Sequence, residues 1–168
     1  MKKIFPHYIL IVLCAIALTS CSSTSVSEEE ELFENGTTSK VVVELSTQEQ
    51  DLINLVNIHR TSQGLNELEF SPEAYPYAAD HNKYMISKGE LSHDNFNSRA
   101  SSVSEITSAN FVAENVAKDY LLVEDAFQGW LNSTSHKNTI EGDFTHTTLS
   151  IVADTEGNPY YTQIFFRK

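Results

Sequence analysis

Cysteine is almost absent. Two Cys in 168 residues cannot build a disulfide framework. Four Pro and six Gly exclude collagen-like and Pro-rich low-complexity architectures. Positive charge is equally scarce: 11 Lys and Arg stand against 23 Asp and Glu, a formal net charge of −12. Without a basic patch the chain does not fit a phosphate backbone, which excludes nucleic acid as a partner. The same balance argues against electrostatic adsorption to anionic lipid. No apolar run reaches the roughly 20 residues of a membrane-spanning helix. There is no internal repeat, no His-Glu-x-x-His, no Gly-x-Ser-x-Gly elbow, no P-loop and no Gly-x-Gly-x-x-Gly.

A hydrophobic fraction of 40% suffices for one packed domain. The first residues differ from the rest. Lys2 and Lys3 precede an apolar run from Ile9 to Leu18, the length of a secretory signal core. Leu18-Thr19-Ser20-Cys21 resembles a bacterial lipobox. The expectation is a signal peptide over 1–20, cleavage before Cys21 and acylation of that residue. Two or more acyl chains anchor stably, since each buried CH₂ adds about 0.8 kcal/mol. The partner is then a lipid bilayer, and the location the exported side of a bacterial cell envelope. With Cys14 removed and Cys21 acylated, no thiol remains for a nucleophile or a Cys zinc site. Residues 21–40 read as a tether, Ser-rich and then Glu-rich from Glu28 to Glu34, kept extended by like charge.

The domain is expected over 41–168. Ser46 and Glu49 form a capping box, followed by Leu52, Leu55, Val56 and His59 on one helical face. Gly64 ends that helix, and Leu65 to Phe70 run extended. Ser71-Pro72 opens a second helix with Ala74, Ala78, His81 and Met85 on a face, closed by Gly89. Tyr75-Pro76 marks a kink or a distorted first turn. Residues 90–98 read as a polar loop, 99–107 as a short helix, and 110–116 as irregular or partly extended. A third helix covers about 122–133, with Val123, Ala126, Phe127 and Trp130 on its apolar face. A hairpin closes the chain, its strands at 146–153 and 160–166 around an Asp-Thr-Glu-Gly-Asn-Pro turn. Helices followed by an antiparallel hairpin define an α+β class.

Among the His residues, His59 and His81 fall on apolar helix faces and read as half-buried core positions. His93 and His136 lie in polar, irregular stretches, where functional residues concentrate. On spacing alone the two read as surface imidazoles. Glu114 sits among Val112, Ala113, Val116 and Ala117, so a buried carboxylate there needs a partner or an altered pKa. Ser133 with His136 lacks an oxyanion-hole motif and an acidic orienter, which speaks against a nucleophile.

These pieces in this order resemble the CAP domain (cysteine-rich secretory, antigen 5 and pathogenesis-related 1), in a bacterial form without the family's cysteines. The resemblance is carried by Asn57-x-x-Arg60 with Gly64-Leu65-x-x-Leu68, by Ala78 to Met85, and by Ser92-His93. Ala113-Glu114-Asn115-Val116, Trp130-x-x-Ser133-x-x-His136-x-x-x-Ile140 and the closing Tyr160-Tyr161-x-Gln163-x-Phe165 complete it. It implies a three-layer α-β-α sandwich around a mostly antiparallel sheet. It also implies a cleft lined by two His and up to two Glu. His93, Glu114 and His136 match three of these positions; Ser133 falls where many members have the second Glu. His93 and His136 could then bind zinc or another divalent cation, with Glu114 as an outer acceptor or water base. With the tetrad incomplete, the expected function leans away from catalysis. It is a binding domain for a small lipophilic ligand or an envelope partner. The alternatives are a metal-dependent hydrolase of peptide or envelope polymer, and a surface adhesion or scaffold protein.

Overall fold

Ser46 opens the first helix as the sequence predicts. Its side chain accepts from the Glu49 N–H at 3.2 Å, and the Glu49 carboxylate accepts from the Ser46 N–H at 2.8 Å. This computed structural model describes residues 42–168; the signal segment, Cys21 and the tether lie outside the described residues. Helix α1 spans Thr47–Ser62 and buries Leu52, Ile53 and Val56. A two-residue strand β1, Glu69–Phe70, follows. The second helix does not start at Pro72. A single 3-10 turn, Pro72–Ala74, precedes α2, Tyr75–Lys88. Pro76 therefore occupies the first turn of α2, where a missing N–H costs nothing, and no kink is needed. Gly89 ends α2 in the left-handed region, at φ 69°.

Helix α3 runs Phe96–Thr107, starting three residues before the predicted short helix. The stretch read as irregular is a full strand, β2, Phe111–Lys118. Its sequence lacks a polar–apolar alternation because Glu114 to Ala117 are buried on both faces. The predicted third helix, about 122–133, forms within a residue of those bounds, and a further short helix follows it where none was expected. Helix α4, Val123–Asn132, and α5, Thr134–Ile140, meet at Ser133, whose backbone is extended (φ −98°, ψ 119°). The hairpin follows as β3, His146–Ala153, and β4, Pro159–Arg167.

The sheet order is β1-β3-β4-β2, with β1–β3 parallel and the other two pairings antiparallel. The fold is the α-β-α sandwich expected. On one face α1, α4 and α5 pack Leu52, Val56, Trp130 and Ile140 onto Leu149, Tyr161 and Phe165. On the other, α2 and α3 pack Ala78, Met85 and Val103 onto Val116, Ile164 and Phe166. Strand β4, central and buried from Tyr160 to Phe166, separates the layers. Strand β2 is left at the sheet edge, with the α2–α3 connection on one side of it and α5 on the other.

One polar group is buried where the sequence predicts only a helix end. Arg60 is fully buried and donates to the main-chain oxygens of Asn66, Ile140, Gly142 and Phe144 at 2.7–3.2 Å. Burial pulls its guanidinium below the ordinary value, with nearby Asp143 opposing.

Candidate functional site

Because side chains alternate along β2, Glu114 faces the α2–α3 layer while Asn115 faces α5. Glu114 is buried and makes three close contacts. Arg99 of α3 binds it as a fork, Nε to Oε2 at 2.6 Å and Nη2 to Oε1 at 2.8 Å. The His93 Nδ1 lies 2.9 Å from Oε1. A carboxylate only accepts, so His93 carries a proton on Nδ1, which leaves Nε2 as the acceptor whenever the ring is neutral. Burial alone would push the Glu114 carboxyl up. The hydrogen bonds from His93 and Arg99, with the charges of Arg99 and His81, outweigh it and hold the group below the usual carboxylate range.

The loop carrying His93 is tied at three points. His81 Nε2 donates to the Ser92 carbonyl at 2.8 Å, Tyr84 OH to Asp94 Oδ2 at 2.9 Å, and Arg99 Nη1 to the Asp94 carbonyl at 3.1 Å. His81 is the satisfied, buried histidine the sequence suggests. Its Nε2 also lies 3.7 Å from Glu114 Oε1. Burial holds its imidazole below the ordinary value, with the Glu114 charge opposing. His93 itself is half exposed.

His136 approaches from the opposite layer. Asn115 Nδ2 donates to the His136 main-chain oxygen at 3.1 Å and so fixes α5 against β2. Its imidazole sits below the ordinary value, first from burial and then from the charge of nearby His93. The structure thus joins His93 to Glu114 directly, while Asn115, on the opposite face of β2, holds the His136 main chain. It does not hydrogen-bond Ser133 to this group: the Ser133 hydroxyl pairs with that of Ser135, 3.1 Å away. His59 and His146 lie elsewhere, paired with Glu141 and Glu69.

Sequence reasoning missed Arg99. The signal was available: a buried Glu114 needs a cation, and Arg99 is the only Lys or Arg between Lys88 and Lys118.

The arrangement falls short of a zinc site. Zinc takes at least three protein ligands. Among the described residues no three His, Cys, Asp or Glu side chains converge to hold a metal. His93 Nε2, backed by a carboxylate on Nδ1, has the form of a ligand. Glu114 spends both oxygens on Arg99 and His93, and Ser133 supplies no carboxylate. The apolar cavity also lies apart from the histidines. It is an open hollow of about 370 Å³ lined by Phe111, Ala113, Thr139 and Phe144 together with the Arg167–Asp143 ion pair.

The chain belongs to the CAP family, the cysteine-rich secretory protein family, whose model matches residues 53–165. Two curated relatives come from Bacillus subtilis. An uncharacterized membrane protein, YlbC, is 29% identical over 129 residues, covering 73% of this chain and 35% of its own. A second, uncharacterized protein YkwD, is 27% identical over 136 residues, covering 79% and 52%. The chain thus spans a third to a half of the length of these relatives. Among solved structures, an outer surface protein of Borrelia burgdorferi superimposes with a TM-score of 0.67 at 18% identity, covering 75% of this chain and 96% of that one. An extracellular SCP-domain protein of Bacillus anthracis gives 0.62 at 24% identity, covering 76% and 45%. At these identities the structural likeness concerns the fold alone.

Proposed function

We propose that this protein is a non-catalytic binding domain of the bacterial cell envelope, anchored through an acylated Cys21. Its ligand would lie between His93 and His136, at the edge of β2. One observation carries the reading: the buried carboxylate of the cleft, Glu114, is held by Arg99. A general base needs a pKa near the working pH and a free oxygen. Glu114 has neither, since its carboxyl is depressed and both oxygens are occupied. What the cleft offers is fixed recognition: a His93 acceptor with a set tautomer, a second imidazole kept neutral by burial, and an apolar hollow next along α5. The membrane-protein relative supports the envelope assignment.

The test is turnover against binding. The full chain is incubated with a fluorogenic peptide pool and with purified envelope polymer, beside His136→Ala and Glu114→Gln. The expected result is no product above the variants, while the side-chain NMR signals of His93 and His136 shift on adding envelope extract. Turnover by the parent that either variant abolishes would overturn the reading and favour a hydrolase. Mass spectrometry of the N-terminal residue checks the anchor; an unmodified Cys21 would remove it.

A further inference from the structure

Strand β2 closes the sheet on one side, and only part of its outer edge is covered. The Val116 carbonyl points outward and accepts from Trp130 Nε1 at 3.0 Å. In an antiparallel pair the main-chain direction alternates every residue, so Val112 and Glu114 also turn their main-chain groups away from β4. At Val112, among the described residues, nothing meets them. Phe111 beside it is 55% exposed. Open edges are normally blunted by Lys, Pro or an inward charge; Phe111-Val112-Ala113 has none of these.

Both flanks of this edge are hollow. Toward α5 lies the Phe111–Phe144 cavity. Toward α3, Val112 borders a groove of about 700 Å³ lined by Asn97, Ala100, Ser101, Ser104 and Glu105. Small side chains on α3 make that room. Glu105 is exposed there, and none of the ion pairs among the described residues uses it.

We propose that the open edge of β2 takes up an extended peptide as an additional strand, with an apolar side chain in the Phe111–Phe144 cavity and an adjacent Lys or Arg beside Glu105. The inference rests on the binding role given above and names the ligand class. Neighbouring side chains of a strand point to opposite faces, so consecutive guest residues enter the two hollows. Main-chain bonds to Val112 supply affinity and the hollows supply specificity. A net charge of −12 draws basic rather than acidic peptides toward the protein. Beyond Val112 the edge leads to Glu114, the residue that holds His93.

The experiment is fluorescence anisotropy on the full chain in detergent, with labelled hexapeptides. The parent is Thr-Val-Phe-Lys-Val-Thr, with Leu, Ile and Trp replacing Phe and Arg replacing Lys across the set. The controls carry Glu in place of Lys, or N-methyl groups on either alternate set of residues. Saturable binding is expected for basic members, falling about tenfold on N-methylation of one alternate set and not the other. Glu105→Lys is expected to reverse the Lys-over-Glu preference. Val112→Pro removes an outward N–H, which an edge strand tolerates, and is expected to weaken binding about tenfold with the urea midpoint kept. Absence of saturable binding by every peptide up to about 1 mM, or equal binding of both N-methylated sets and the parent, overturns the proposal. Either failure leaves the turnover test untouched, so a non-peptide ligand would remain distinguishable from a failed binding role.

Discussion

Two arginines carry charge into this domain, one fully buried and one nearly so, and they end on different things. Arg60 of α1 is 0% exposed and gives nearly all its donors to main-chain oxygens of the Asn66 turn and the α5–β3 connection. Arg99 of α3 has a side chain 9% exposed and gives its fork to one carboxylate, which in turn holds a half-exposed imidazole. The first charge is absorbed by backbone and fixes a loop. The second is neutralised by a side chain and fixes the face of a cleft. Burial of a charge therefore does not mark function; what the partner touches next does.

The comparison can be broken most forcefully at Arg60. Arg60→Met leaves several carbonyls without donors, and a loss of about 4 kcal/mol is expected in urea unfolding, with the His93 signals of any remaining folded protein unchanged. Arg99→Met leaves Glu114 buried beside imidazoles alone, and about 3 kcal/mol should be lost. Here the double variant Arg99→Met with Glu114→Leu should regain most of that stability while the Nδ1-H tautomer of His93, read by nitrogen NMR, is lost. Recovery of the tautomer in the double variant would mean the Arg99–Glu114 pair is structural, like Arg60.

A smaller effect concerns pH. Glu114, His81 and His136 all have folded values below their unfolded ones. Each therefore contributes stability that is present above its unfolded pKa and lost as pH falls through the folded one. The urea midpoint should decline first below about 6.5, from the histidines, and again below about 4.3, from Glu114. Glu114→Gln should shrink the second decline, to which Glu73 and Asp154 also contribute, and keep the first. The smallest change is expected at Ser133→Ala, within about 0.5 kcal/mol and without effect on ligand shifts, because its hydroxyl meets only Ser135.

The helices with one apolar face were legible from the sequence. Ser46 with Glu49 set the start of α1 to the residue, and Gly89 set the end of α2. The hairpin was legible for the same reason, as β-branched runs bracketed a turn. Strand β2 was not, because it is covered on both faces and so lost its alternation. Helix α5 was not either, because Thr134–Ile140 holds a single apolar residue and so shows no apolar face. At the cleft, the Glu114 and His93 positions came from motif order, whereas the Arg99 fork depends on a contact between a helix and a strand 15 residues away. Local pattern does not encode such a contact; the need of a buried carboxylate for a cation does.

The chain's one tryptophan gives this molecule a built-in optical gauge. Trp130 is 2% exposed, and its indole N–H bonds to the second, covered half of the strand whose first half lies open. Its emission should therefore be blue and narrow in the folded protein. A guest strand that pulls on β2 should alter that emission without any label.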